Sequence, residues 1–229
     1  MKILAIETST PVGSIALVEG PLLKAQNILN ISATHNQRLL PGIEKILTDA
    51  GWSLAGLDGF AVSIGPGSFT GLRIGLSVIK GLAWATGKPL AGIPTLDALA
   101  GNVSFSSQQI CPILDARKGE IYTALYRRGD EGIPQKLTSY QAIKPEELLN
   151  LIGEKTIVVG DGLLSFGDYL KTELGDLLVQ APPHLNVVHA SSVGWLGWLR
   201  LRSGKYEDVS KITPLYVRPT EAELKSKSR

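Results

Sequence analysis

Two acids stand at matching places in the chain. Glu7 closes the apolar run Ile3-Leu4-Ala5-Ile6, and Asp115 closes Ile110-Cys111-Pro112-Ile113-Leu114. A short polar turn follows each, Thr8-Ser9-Thr10-Pro11 and Ala116-Arg117-Lys118-Gly119. Carboxylates at the ends of two strands can face one another across a cleft, where they hold a metal-bound phosphate or act as acid and base. The Thr8 and Ser9 hydroxyls would then touch the phosphate. The plainer alternative is that each acid orders its own turn by accepting backbone N–H bonds. A third feature is the glycine-rich passage Gly65-Pro66-Gly67-Ser68-Phe69-Thr70-Gly71, where free N–H groups and a helix dipole favour an anion. It lacks the Lys-Ser/Thr ending of a P-loop and the spacing of a dinucleotide fingerprint, and Pro66 removes one donor. In the second turn, the planar fork of Arg117 suits phosphate or carboxylate; mutual neutralisation on a solvated hairpin is the alternative. Nucleophilic catalysis has little to work with. Cys111 is the single cysteine, expected as a small buried hydrophobe, and His35, His184 and His189 are the only histidines.

These groups need elements to place them. Residues 2–7, 13–19 and 23–31 read as a β-meander, followed by a helix that carries Leu39, Leu40, Ile43, Ile46 and Leu47 at helical spacing and stops at Gly51. A strand at 60–64, a helix at 70–86, a strand at 89–93 and a short helix at 95–100 follow. The pattern then begins again: strands at 110–115, 120–127 and 135–143, a helix at 145–152 opened by Pro145, a strand at 156–159 ending in Gly160-Asp161-Gly162, and a late helix at 190–202. His184 and His189 bracket a further expected strand. A repeated β-β-β-α-β-α order predicts two similar α/β lobes about a pseudo-twofold axis, divided at 1–103 and 104–229, with the cleft between them as the default ligand site.

Composition bounds the rest. At 229 residues with 44% hydrophobic and 19% charged residues, the chain has enough apolar material for a sizeable core. A net charge of +2 is too small for a generally nucleic-acid-binding surface, so any polyanion contact must be local. One cysteine admits no internal disulfide and fits a reducing compartment. The first apolar run reaches Glu7 too soon for a signal peptide, and no other run is long enough to span a bilayer. A cytoplasmic protein without membrane contact is expected.

The 70–86 helix is too apolar for one partner. Leu72, Leu76, Ile79 and Ala83 lie along one face; Ile74, Val78, Leu82 and Ala85 lie along the next. One face covers the chain's own sheet and the other is free for a second protein, with Gly71 and Gly75 allowing a close backbone approach. Coverage of the second face from within, by the 36–50 helix, is the alternative. Which face meets the partner is open.

The stretches "ILAIETSTPVGSIAL", "HNQRLLPGIEKIL", "SIGPGSFTGLRIGLSVIKGLA", "GIPTLDALA", "ILDARKGEIYTALY" and "ITPLYVRPTEAE" occur in this order over nearly the whole chain. Together they resemble the TsaB family, formerly YeaZ, of bacterial tRNA threonylcarbamoyladenosine biosynthesis. The resemblance implies an ASKHA fold, the actin-like, duplicated ribonuclease-H-like architecture with two lobes. It also implies a noncatalytic, cofactor-free relative of TsaD that binds a TsaD homologue as a heterodimer, works with the ATPase TsaE, and meets tRNA through the complex. A homodimer through the same helices is an alternative assembly. The implied partner surface comprises Leu39, Ile43, Gly71, Leu72, Ile74, Gly75, Leu76, Val78, Ile79, Leu82 and Arg117, and the implied vestigial nucleotide cleft comprises Glu7, Thr8, Ser9 and Asp115. TsaD carries a metal-binding His-x-x-x-His pair where this chain has Asp97 and Gly101, which supply at most one ligand, so no metal is expected. Lys225, Lys227 and Arg229 form a basic end. Against this stand an ASKHA nucleotide hydrolase or kinase using Glu7 and Asp115 with Mg²⁺, for which Gly160-Asp161-Gly162 is the one candidate adenosine pocket, and a ribonuclease-H-like nuclease, which needs more clustered acids.

Overall fold

The computed structural model describes residues 1–29 and 35–218, and it lays down the same succession twice. The first half runs β1 (Lys2–Glu7), β2 (Gly13–Glu19), β3 (Leu22–Leu29), α1 (His35–Asp49), β4 (Gly59–Gly65), α2 (Phe69–Thr86), β5 (Leu90–Pro94) and α3 (Thr95–Gly101). The second runs β6 (Gln109–Arg117), β7 (Glu120–Thr123), the short ribbon β8 (Tyr126–Arg128) and β9 (Pro134–Lys136), β10 (Gln141–Ile143), α4 (Pro145–Leu149), β11 (Thr156–Val159), α5 (Gly162–Leu174), β12 (Leu178–Gln180) and α6 (Ala190–Arg202). The first sheet has the order β3-β2-β1-β4-β5; the second has β10-β7-β6-β11-β12, with β8 and β9 off its path. In both, an antiparallel meander lies on one side of the first strand and parallel strands on the other.

The central strands are apolar on both faces because helices cover both. Leu4 and Ile6 of β1 pack with Phe60, Val62, Leu76 and Ile79 towards α1 and α2, whereas Ile3 and Ala5 join the core on the other side of the sheet. The α2 helix starts at Ser68, whose Oγ accepts the Gly71 amide, and ends at Gly87, where a φ of 65° lets the backbone turn out of the helix.

The halves exchange their last helices. Residues of α6 lie on the first sheet: a Cβ on Gly197 would sit 2.4 Å from Ala61 Cβ, and one on Gly194 would sit 3.1 Å from Ala5 Cβ. The α3 helix packs in turn against β6, so a single apolar cluster joins Ala5, Ala61 and Val18 to Leu96, Leu99, Leu114 and Val193.

Several elements differ from the sequence reading. The expected strand at 135–143 is two short strands, β9 and β10, and the helix at 145–152 stops at Leu149. No strand lies between His184 and His189: residues 183–185 form a 3-10 turn and His189 caps α6. The α5 helix and β12 were not anticipated. Among the described residues no helix is long and apolar enough to cross a membrane. The basic end, Lys225 to Arg229, lies outside the described residues.

Candidate functional site

A cleft of about 440 Å³ opens between the halves. The first half contributes Ser9, Thr10, Gly67, Ser68 and Phe69, from the turn after β1 and the loop before α2. The second contributes Asp115, Arg117, Tyr122, Asp161 and Leu164, from the end of β6, β7 and the start of α5.

The two acids are placed differently. Glu7 is completely buried; its Oε1 accepts both the amide and the hydroxyl of Ser9. Burial pushes its carboxyl up to about 7, against the pull of the Ser63 and Ser9 hydroxyls and the Ser9 and Thr10 amides. Asp115 instead lines the cleft. It accepts the Arg117 amide at 2.7 Å, and its Oδ2 lies 3.6 Å from Arg117 Nη1. Asp161 Oδ1 accepts the Asp115 amide at 3.0 Å, and burial, above all, raises the Asp161 carboxyl above its ordinary value. The carboxyls facing the cleft are therefore Asp115 and Asp161.

Two amides of the glycine-rich loop are spent within the chain. The Ser68 amide donates to the Ser9 carbonyl at 2.6 Å and the Gly71 amide to Ser68 Oγ at 3.2 Å. Thr8 Oγ1 donates to the Gly71 carbonyl at 2.8 Å. A Cβ on Gly75 would lie 2.2 Å from Thr8 Oγ1, so the close approach that Gly71 and Gly75 permit is made by Thr8 of this chain.

The turn after β6 holds Arg117, Lys118 and Gly119 at φ of 65°, 56° and 78°, which leaves the Arg117 side chain largely in solvent. A second arginine lines the cleft that the sequence reading did not single out: Arg218 Nη1 lies 2.6 Å from Glu120 Oε2. It arrives on the closing segment, where the Leu215 amide donates to the Ile64 carbonyl and Tyr216 stacks on Phe69.

Leu76 and Ile79 are buried in the first half's own core with Leu39 and Ile43 of α1; Leu72, Gly71 and Gly75 are buried too. Ile74, Val78 and Leu82 pack along one side against that same core, which includes Leu39 and Ile43 of α1, so the second face is covered in part from within; they stay half-buried, beside exposed Phe69, Arg73, Ser77 and Trp84. Phe69, Arg73, Ile74 and Val78 line a shallow depression there.

Asp97 Oδ1 accepts the Tyr126 and Tyr140 hydroxyls at 2.7 and 2.8 Å. Burial first, then the Asp97 charge, holds both phenols far above their usual range. A Cβ on Gly101 would meet Ser192 Cβ at 3.6 Å. Among the described residues no three His, Cys, Asp or Glu side chains gather in a metal-holding group. His189 Nδ1 pairs with Gln26 Nε2 at 2.9 Å. Cys111 is buried, its thiol pushed up to about 12 by desolvation.

A duplicated βββαβαβα chain with a cleft between its halves defines a two-lobed protein of the actin-like ASKHA class. The ROK hexokinase of Thermus thermophilus shares that fold alone, at a TM-score of 0.52 and 12% identity. The family described as TsaD: tRNA N6-adenosine threonylcarbamoyltransferase matches residues 29–225. Two relatives, each called tRNA threonylcarbamoyladenosine biosynthesis protein TsaB, are similar over nearly their full length. The one from Bacillus subtilis is 30% identical, over 98% of this chain and 97% of its own; the one from Escherichia coli is 33% identical, over 95% of each. The solved YeaZ structure from Pseudomonas aeruginosa superimposes with a TM-score of 0.78 at 25% identity, covering 94% of this chain and 99% of that one. The chain belongs to the TsaB (YeaZ) family.

Proposed function

We propose that this chain serves tRNA threonylcarbamoyladenosine biosynthesis as a noncatalytic subunit that binds a TsaD homologue, with the ATPase TsaE as a further member of the assembly and tRNA met through the complex. The observation that carries the reading is the outer face of α2, where Ile74, Val78 and Leu82 stay half-buried beside exposed Phe69 and Trp84. An apolar helix face of this kind fits a protein partner better than water. The replacement of the paired histidines by Asp97 and Gly101, with Asp97 engaged by two tyrosines, supports a binding rather than a catalytic role.

Co-purification with a TsaD homologue tests the reading. Val78→Arg should leave the fold intact and weaken the complex by about two orders of magnitude or more, because an unpaired charge enters a desolvated patch. Leu76→Arg does not serve, since Leu76 is a core residue at 5% exposure. Wild-type affinity in folded Val78→Arg removes the helix from the interface. The nucleotide hydrolase or kinase alternative draws support from Asp115 and Asp161 sharing the cleft. It predicts Mg²⁺-dependent ATP hydrolysis by the isolated chain; the subunit reading predicts none.

A further inference from the structure

We propose that a second pocket, walled by the last turns of α6, the start of α3 and the β8–β9 ribbon, is a binding site for a small amphipathic carboxylate. The apolar body lies against the walls, and the acid group meets Lys205 and Arg202 at the rim.

The pocket measures about 350 Å³ and shares no lining residue with the cleft. That volume falls at the lower end of small-molecule cavities, roughly 300 to 1,000 Å³. Its apolar walls are Ile93 and Pro94 at the end of β5, Ile133 and Pro134 of the ribbon, and Leu196 and Leu199 of α6. Two sets of hydrogen bonds fix these walls. On one side Asp97 of α3 accepts the hydroxyls of Tyr126, on β8, and of Tyr140, just before β10. Since β8 pairs with β9, the ribbon is tied to α3 although it lies off the path of its own sheet. On the other side Arg200 donates to the Gly92 carbonyl at 3.1 Å and to Glu207 at 2.8 Å, and Glu207 accepts the Gly92 amide at 2.9 Å. These bonds fasten the end of α6 to β5. A cavity braced on both sides leaves little ordering for a ligand to bring about.

The charges decide the kind of ligand. Among the described lining residues Asp97 is the one acid, and its Oδ1 already takes two phenols. Three cations line the pocket. Arg200 is matched by Glu207. Arg202 lies over the Trp198 ring, 4.4 Å from its centre, and its exposed pair with Glu131, at 3.5 Å, contributes little. Lys205 is exposed and has no ion pair among the described residues. The backbone sets Lys205 at the rim: Gly204 turns out of α6 at a φ of 71°, and the Lys205 amide donates to the Arg200 carbonyl at 2.9 Å, as in a Schellman end. A ligand cation would meet like charges here, and a neutral apolar ligand would leave the rim unused. A carboxylate takes charge-assisted bonds from Lys205 and Arg202 while its apolar body leaves water.

The pocket owes nothing to the α2 reading, and its test uses the free chain. Phenylacetate, its neutral counterpart phenylacetamide and the cation phenethylammonium are each titrated into ¹⁵N-labelled protein and followed by NMR. Phenylacetate, with about ten non-hydrogen atoms, should bind with a Kd of about 1 mM and shift the amides of Ile133, Leu199 and Lys205. Phenylacetamide should bind about tenfold more weakly, and phenethylammonium more weakly still. Lys205→Ala, which alters only an exposed side chain and so keeps the fold, should cost phenylacetate about tenfold and leave phenylacetamide unchanged. Four results would overturn the proposal: unmoved pocket amides at about 10 mM phenylacetate, ten times the expected Kd; equal affinity for the three probes; a phenylacetate response in the cleft amides Ser9 and Ser68 alone; or wild-type affinity in Lys205→Ala. Each of these leaves the α2 surface standing, and wild-type partner binding in Val78→Arg leaves the pocket standing.

Discussion

The turns after β1 and β6 occupy the same place in the two halves, yet they are built in opposite ways. The first is sealed: Glu7 and Thr8 are at most 1% exposed, and the Ser9 carbonyl and the Thr8 side chain come so near that glycines are needed at 67 and 75 respectively. The second is open: Asp115 reaches the cleft, three residues take left-handed conformations, and a Cβ on Gly119 would meet nothing within 4 Å. Duplication of a fold copies the position of a turn without copying its environment, and environment decides whether an acid is a buried tether or an accessible ligand.

The largest effect expected from this contrast is on pH-dependent stability. A carboxyl raised from 4.5 to about 7 on folding means that the native state holds the proton longer than the unfolded chain does. Stability from this group is complete below about pH 4.5 and declines as pH rises through 7, with roughly 3 kcal/mol lost well above it. Denaturant titrations of wild type and Glu7→Gln across this window measure the loss, and a wild-type curve that matches Glu7→Gln throughout would place Glu7 in a wetter setting than Ser9 and Ser63 give it. Next comes Gly75→Ala, which drives a methyl onto Thr8; it should cost about 2 to 3 kcal/mol by overpacking. Its counterpart in the open turn, Gly119→Ala, meets only the left-handed backbone and should cost about 1 kcal/mol. Equal losses in the two variants would mean that the turns are equally tight. The smallest effect on stability belongs to Arg117→Ala. An exposed ion pair contributes less than about 1 kcal/mol, so its melting temperature should hardly change, whereas complex formation with the TsaD homologue or reconstituted tRNA modification should fall. Unaltered modification would reduce the Arg117 turn to a solvated hairpin.

Much of the architecture was legible because its signals are local. The uninterrupted apolar runs at 3–6 and 60–62 announce buried central strands, and the repeat of the meander announces the duplication. The α5 helix escaped although Leu163, Leu170 and Leu174 carry helical spacing, since Gly160-Asp161-Gly162 at its start and Gly167 inside it read as loop. At the cleft, Ser9, Asp115 and Arg117 are singled out in sequence by the strand ends they follow, and the structure places all three on its wall. The sealing of Glu7 could not be read there: it depends on Ser63, which the β1–β4 pairing brings alongside from 56 residues away. Nor could Arg218, whose partner Glu120 lies 98 positions back. The two faces of α2 were visible in sequence, but which of them is the more deeply buried on the chain's own core depends on the sheet beneath Leu76 and Ile79.

The exchanged helices bear on how the chain is made. The strands of the first sheet are synthesised well before the helix that covers their second face, α6, which follows every other strand and helix described here. Until it arrives, the apolar flank formed by Ile3, Ala5, Val18 and Ala61 has no permanent cover. An emerging first half is thus a natural client for a chaperone, and a nascent chain stalled before residue 190 should be more readily aggregated or proteolysed than the completed molecule.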